Sequence, residues 1–326
     1  MYEHIVKKLH ESDTIGLFMH INPDGDCIGS CLAFYKFLLN IGKTPYIFLE
    51  PNNKIKDNLQ FLPNINVINE KLGTIRHLDL AIALDCGDAN RLGATAYKIF
   101  LKAEDTACID HHEMSKPFVD ALVLEPKAAS TTQILYKVLV EMDKSAMDKD
   151  IATCLMTGLS SDSGSLTYSS TSAESFAVAA ELTKLGASIY EINRRLYKDT
   201  QMSTFKLTNR VLGNAQFFYD DALAIITFRK EDFESTGTNH TNTDGIINRL
   251  IDVVDVKLAI TIAESEENTY KIGIRAKDGV NAGKFAAIFG GGGHFAASGC
   301  RLYGQYSDVL EKLIENAPSA LKDIIK

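Results

Sequence analysis

The stretch His20-Ile21-Asn22-Pro23-Asp24-Gly25-Asp26-Cys27-Ile28-Gly29-Ser30 decides the fold. An apolar run over 14–19 precedes it and reads as a buried strand. The apolar content of 31–39 suits a packed helix, and Gly42 is placed to stop it. His20, Asp24 and Asp26 therefore fall on a strand-to-helix turn, and in open α/β sheets ligand sites lie at such turns. Pro23 and Gly25 fit a tight turn with close backbone approach. One imidazole and two carboxylates make a hard, oxygen-rich pocket that suits Mn²⁺ or Mg²⁺. An Asp-Gly-Asp turn is ordinary by itself, so the reading requires partners elsewhere in the chain.

The same grammar recurs downstream. Residues 44–49 and 78–84 read as strands, the latter almost wholly apolar, as in the middle of a parallel sheet. It exits into Asp85-Cys86-Gly87-Asp88, followed by Arg91. A short strand over 106–109 exits into Asp110-His111-His112. Ser130 or Thr131 caps a helix to about residue 142. Helices over 149–160 and 173–185 follow, the first ending near Asp162. Strands alternating with helices predict an α/β fold with a doubly wound parallel sheet, whose turns at 20–26, 85–88 and 110–112 emerge on one edge. That gathers His20, Asp24, Asp26, Asp85, His111, His112 and Asp162, all at exits of core elements. Each alone is explained as a core histidine or a cap; seven at matching exits are not. Two divalent ions fit the ligand count.

The expected domain plan is 1–187 for the metal-binding domain, a helical linker over 188–215, and a smaller mixed-sheet α/β domain over 216–326. In the last, 222–228 reads as a strand, 244–253 as a helix, and 258–264 with 270–275 as a hairpin. A helix over 280–289 leads into Gly290-Gly291-Gly292-Gly293-His294, and a final helix begins near 307.

Composition narrows the function. The 326 residues are 45% hydrophobic, enough for two cores. The net charge of −8 argues against grip on long duplex nucleic acid, which needs a broad basic surface. Residues 1–185 carry a net −7 and 186–326 a net −1, so the acidic half holds the expected pocket. No apolar run reaches spanning length and 1–12 are polar and charged, so the expectation is a cytoplasmic protein without membrane contact. The six cysteines are scattered and read as packed free thiols. Cys27 and Cys31, one helical turn apart, lack the further thiols of a soft-metal site.

The set His-x-x-x-Asp-x-Asp, strand-end Asp85, Asp110-His111-His112 and the late Asp162 resembles the DHH phosphoesterase family. The glycine-His segment is similar to its DHH-associated second domain. The likeness covers nearly the whole chain and is greatest to the short nano-RNases that also dephosphorylate 3′-phosphoadenosine 5′-phosphate (pAp). The resemblance implies two Mn²⁺ ions, with Mg²⁺ as the alternative. His20, Asp24 and Asp85 would hold one; Asp26, Asp85, His111 and Asp162 the other, with Asp85 bridging. Hydroxide shared by the ions would attack phosphorus. His112 would face the scissile phosphate, with Asp110 orienting an imidazole. Arg275, Gly291, Gly292, Gly293 and His294 would contact substrate, and Arg91 is a further candidate. Two positions depart from the nano-RNase pattern: Ser115 where Asn is frequent, and Ala276 where Ser often follows the arginine. Both concern substrate contacts. The implied substrates are short single-stranded oligoribonucleotides and pAp. Cyclic dinucleotides or their linear products are the alternative, pyrophosphate a third, and a non-catalytic nucleotide-binding regulator the reading from another class. A homodimer is compatible with the sequence.

Overall fold

The computed structural model describes residues 2–322 apart from 113–116, Asp244 and His294. Ser115 and His294 thus lie outside the described residues. The chain divides into two compact units, Met1–Asp199 and Thr200–Lys326. Among the described residues, no helix is long and apolar enough to cross a membrane.

The first unit runs α1 (Glu3–Glu11), β1 (Thr14–Phe18), α2 (Gly25–Asn40), β2 (Thr44–Phe48), β3 (Leu80–Leu84), α3 (Ala94–Phe100), β4 (Asp105–Asp110), β5 (Ala121–Leu124), α4 (Thr131–Asp143), α5 (Lys149–Asp162), α6 (Ala173–Lys184) and α7 (Ile189–Asn193). Its five strands are all parallel in the order β2-β1-β3-β4-β5. The pleat splits the apolar strands between two cores. Ile15, Leu17, Leu80, Ile82 and Leu84 join the core built with α2, α4 and α5. Phe18, Phe48, Ala81 and Ala83 pack on the opposite face against Ala96 and Phe100 of α3. Strands buried on both faces explain why β3 has no polar residue. The strand order reverses between β1 and β3, so the crevice at a topological switch point opens beyond their carboxyl ends, where His20 and Asp85 sit.

Helix α2 begins at Gly25, earlier than the apolar pattern over 31–39 suggests. Asp24 accepts hydrogen bonds from the backbone of Asp26 and Cys27, both at 3.1 Å. Capping therefore starts the helix inside the acidic turn. Elements α1, α3 and β5 were not anticipated; at 9, 7 and 4 residues they are too short for a periodic signal.

The head of β1 is fixed by Asp79, whose Oδ2 accepts from the backbone of Asp13 at 2.8 Å and Thr14 at 2.7 Å. The bond from Thr14 is the main cause holding the Asp79 carboxyl below its ordinary value. The stabilisation is complete above the unfolded carboxylate pKa, near 4, and is lost as pH falls through the folded value. Asp79→Ala is expected to cost about 1–2 kcal/mol at pH 7. The gap to wild type should narrow in urea melts as pH falls below about 4; a gap indifferent to acid would refute the assignment.

The second unit contains α8 (Met202–Gly213), β6 (Gln216–Phe218), β7 (Leu223–Phe228), α9 (Lys230–Thr236), α10 (Asn248–Ile251), β8 (Leu258–Glu266), β9 (Thr269–Ala276), α11 (Ala282–Ala287), β10 (Gly292–Gly293), β11 (Ala297–Tyr303) and α12 (Tyr306–Ala320). The mixed sheet has the order β10-β11-β9-β8-β7-β6, parallel only between β7 and β8. Leu258, Ile260, Ile262, Ile272 and Ile274 face α11 and α12. Ala224, Ile226 and Ala259 face α8, α9 and α10. The segment expected as a linker is helical but divided: α7 and the π-helical turn Arg194–Lys198 belong to the first unit, and α8 to the second. Of the expected helix over 244–253, only Asn248–Ile251 is α-helical among the described residues.

Candidate metal centre

Three strand exits and one helix end build the site. His20 follows β1 and is 2% exposed. Its Nδ1 lies 2.8 Å from the Ile21 carbonyl oxygen and 3.1 Å from an Arg91 guanidinium nitrogen. One ring nitrogen cannot donate to the carbonyl and accept from the guanidinium together. If Nδ1–H donates to Ile21, the Nε2 lone pair points into the pocket and Arg91 has no acceptor at Nδ1.

Asp85 follows β3 with φ +58°, the left-handed region that aspartate tolerates better than most side chains. It is fully buried. Oδ1 accepts from the Thr131 hydroxyl at 2.9 Å, while Oδ2 has no hydrogen-bond partner. Oδ2 lies 3.7 Å from His20 Nε2, and Oδ1 lies 3.6 Å from His111 Nε2. The two oxygens of one carboxylate thus face different imidazoles.

Asp26 sits in the first turn of α2, fully buried. Its oxygens accept from the Thr131 amide at 2.6 Å and the Thr132 amide at 2.9 Å. These are otherwise unpaired donors at the start of α4, and a carboxylate there is favoured by the helix dipole as well. Sequence reasoning saw Ser130 and Thr131 only as caps. The structure confirms Ser130 as the cap, with Gln133 donating to it, and adds Thr131 and Thr132 as the hold on Asp26 and Asp85. The signal available was the Ser-Thr-Thr sequence opening a helix after a sheet of acidic exits.

His111 follows β4. Its Nε2 is buried without a hydrogen bond, 3.2 Å from Asp162 Oδ2, 3.6 Å from Asp85 Oδ1 and 3.9 Å from Asp26 Oδ2. Asp162 is the last residue of α5. His112, half-buried, has Nδ1 2.9 Å from Asp110 Oδ1, which also accepts from the backbone of His111 and His112. Asp110 therefore orients this corner. Asp88 caps the turn Ala89–Leu92 through the Asn90 amide. Asp24 is committed through Oδ1 to the start of α2.

Charge is crowded here. Burial, then Asp85, pushes the Asp26 carboxyl well above the usual carboxylate range. Burial moves Asp162 up to about 6. Burial would also raise Asp85, but the nearby imidazoles of His112, with Nδ1 3.4 Å from Oδ1, and of His20, with Nε2 3.7 Å from Oδ2, outweigh it and hold that carboxyl low.

The residues fit divalent cations. His20 Nε2, Asp85 Oδ2 and His111 Nε2 are buried and unpartnered, and unmet polar atoms in a low-dielectric interior are costly. They lie too far apart to bond one another. Donors at about 2.0–2.2 Å from a common ion lie roughly 3–4 Å apart, the spacing seen here. Among the described residues, three groups each have ligand atoms within 4.8 Å of one another: His20 with Cys27 and Asp85; Asp85 with His111 and His112; Asp26 with His111 and Asp162. Of the expected ligands, all but Asp24 fall in these groups; Cys27, weighed from the sequence only as a soft-metal pair with Cys31 and set aside, falls in one of them.

In the second unit, Arg275 lies at the end of β9 opposite Ala297 of β11, and its guanidinium donates to the Ile274 carbonyl at 3.1 Å. Gly292 and Gly293 pair with Gly299 and Ser298 as a short edge strand. A Cβ on Gly291 would meet the Gly299 carbonyl oxygen at 2.3 Å. Close approach to β11 thus explains part of the glycine run, where the resemblance implied substrate contacts.

Comparison with known proteins agrees with this architecture. Residues 14–159 match the DHH family, N-terminal domain, and 222–325 match the DHHA1 domain. A Thermus thermophilus protein named bifunctional oligoribonuclease and PAP phosphatase NrnA is 30% identical, over 92% of this chain and 89% of its own length. A Listeria monocytogenes cyclic-di-AMP phosphodiesterase, PdeA, is 24% identical over 90% of this chain and 45% of its own. The crystal structure of an exopolyphosphatase-related protein from Bacteroides fragilis superposes with a TM-score of 0.91 at 26% identity, covering 99% of this chain and 96% of that one. By its two domain matches and its full-length kinship with the Thermus protein, the chain belongs to the DHH phosphoesterase family.

Proposed function

We propose that the chain is a two-metal hydrolase of short oligoribonucleotides, releasing nucleoside monophosphates, and of pAp, releasing AMP. The observation that carries this reading is the ring of buried, unpartnered donors around Asp85. In this reading His20, Asp24 and Asp85 hold one divalent cation, and Asp26, Asp85, His111 and Asp162 the other, with Mn²⁺ preferred over Mg²⁺. When bound, such a pair supplies Lewis acidity towards phosphate oxygens and lowers the pKa of water. The chain's own groups do the rest. The amides of Thr131 and Thr132 keep Asp26 fixed, and Asp85 sits between the imidazoles. His112, steadied through Nδ1 by Asp110, turns its other nitrogen to the scissile phosphate and holds a proton for the leaving oxygen. Arg91 contacts a substrate phosphate once His20 Nδ1–H donates to Ile21. In the second unit, Arg275, Gly291, Gly292, Gly293 and His294 seat the terminal nucleotide.

The second reading, cleavage of cyclic dinucleotides or their linear products, draws support from the name of the Listeria relative. A rate comparison tests both. Purified protein with Mn²⁺ is given di- to hexaribonucleotides, pAp, cyclic dinucleotides and pyrophosphate. Mononucleotide release from the shortest oligomers and AMP from pAp are expected. Cleavage of cyclic dinucleotides ahead of both selects the second reading, and hydrolysis of pyrophosphate alone overturns the proposal.

A further inference from the structure

The donor group His20, Cys27 and Asp85 adds a sulfur atom to the ligand set, His20, Asp24 and Asp85, that the hydrolase reading assigns to this half of the site. Asp24, the oxygen ligand assigned there, falls in no group of three mutually close donors among the described residues. Its Oδ1 is tied to the backbone of Asp26 and Cys27. Cys27 lies one turn into α2, fully buried, with its sulfur within 4.8 Å of the ligand atoms of His20 and Asp85. All six cysteines are free. The Cys27 thiol donates to the Leu84 carbonyl at 3.6 Å, a bond that is weak and readily given up. Two independent features point to a ligand at this spot. His20 Nε2 and Asp85 Oδ2 are both buried, both without a hydrogen-bond partner, and 3.7 Å apart.

Resting on the two-cation reading, we infer that Cys27 is a sulfur ligand of the cation held by His20 and Asp85. That half of the centre is then a mixed nitrogen, sulfur and oxygen site. On binding, the thiol proton leaves to solvent and the sulfur lone pair bonds the ion, with no change of oxidation state. Thiolate favours borderline ions such as Zn²⁺, Co²⁺ and Fe²⁺, whereas Mg²⁺ demands oxygen. The two positions of the centre consequently differ in chemistry. The position bounded by Asp26, His111 and Asp162 has nitrogen and oxygen donors only and suits Mn²⁺ or Mg²⁺.

The probe is Co²⁺ added to the full-length, metal-free protein, read by near-ultraviolet absorption for sulfur-to-cobalt charge transfer and by calorimetry for bound ion. Wild type is expected to show the sulfur band. Cys27→Ala and Cys27→Ser should lose it and weaken cobalt binding at this position at least about tenfold, as loss of even an outer partner does. Cys31→Ala should keep the band. Should the Cys27 variants fail to fold, X-ray absorption of the cobalt-loaded wild type reads sulfur in the coordination sphere directly. Bound cobalt without a sulfur signal overturns the inference and leaves the two-cation reading intact. No bound cobalt removes both.

Discussion

Asp85→Asn is expected to lower hydrolysis by roughly a thousandfold or more, the scale on which losing a central charge-stabilising group acts. The substitution isolates charge from shape. Asn has the same outline and also tolerates the left-handed backbone found at φ +58°. It keeps an oxygen to accept from the Thr131 hydroxyl, which bonds Asp85 at 2.9 Å. What disappears is the anion that faces His20 on one side and His111 on the other. The thermal behaviour should separate a binding defect from misfolding. Without ions, the variant should melt somewhat below wild type, because the imidazoles that hold the Asp85 carboxyl low lose their anion, partly offset by less crowding of Asp26 and Asp162. With ions at a hundred times the dissociation constant, wild type gains about 2.7 kcal/mol by mass action, and the variant should lose most of that. Calorimetric titration with Mn²⁺ checks the stoichiometry. An Asn variant retaining a tenth of wild-type turnover would remove Asp85 from the centre of the site.

Gly29→Ala should be among the most destabilising single-methyl insertions in the molecule. Helices α2 and α5 cross so closely that a Cβ on Gly29 would lie 2.5 Å from the Cys154 carbonyl oxygen and 3.2 Å from the Gly158 nitrogen. Both neighbours are backbone, so relief requires separating two helices. The expected cost is about 3 kcal/mol, the upper part of the overpacking range. Gly158→Ala reports on the same crossing from the other helix, with a different consequence. Its Cβ would meet Thr132 Cγ2 at 2.4 Å and Asp26 Oδ1 at 2.7 Å. That insertion should therefore weaken cation affinity as well as stability, whereas Gly29→Ala acts chiefly on stability. Urea melts and Mn²⁺ titrations of the two variants distinguish the effects. Equal melting of Gly29→Ala and wild type would mean that the crossing is looser than described.

The parallel sheet was legible because its strands are apolar on both faces and end in acidic or histidine exits. The run 78–84 followed by Asp85 needs no tertiary information to be read as a central strand facing a pocket. The start of α2 was misread because apolar periodicity begins at Cys31, whereas the helix is initiated by the Asp24 cap, a local polar event. Thr131 and Thr132 stayed hidden for another reason. Their amides serve a carboxylate more than a hundred residues earlier, and no local pattern announces that. Cys27 resembled any packed thiol until the positions of His20 and Asp85 were known. In the second unit the hairpin alternation was plain, but β11, with Gly299 and Ser298 in it, carries too few apolar residues to stand out.

The bond between Asp26 and the first amides of α4 has a bearing on how this protein comes into being on the ribosome. A nascent chain halted before Thr131 has its acidic turn complete but nothing to fasten it, and Asp162 is later still. In the two-cation reading, the position bounded by Asp26, His111 and Asp162 is therefore complete only after the whole of α5 has emerged. Chains cut short before Asp162 lack it.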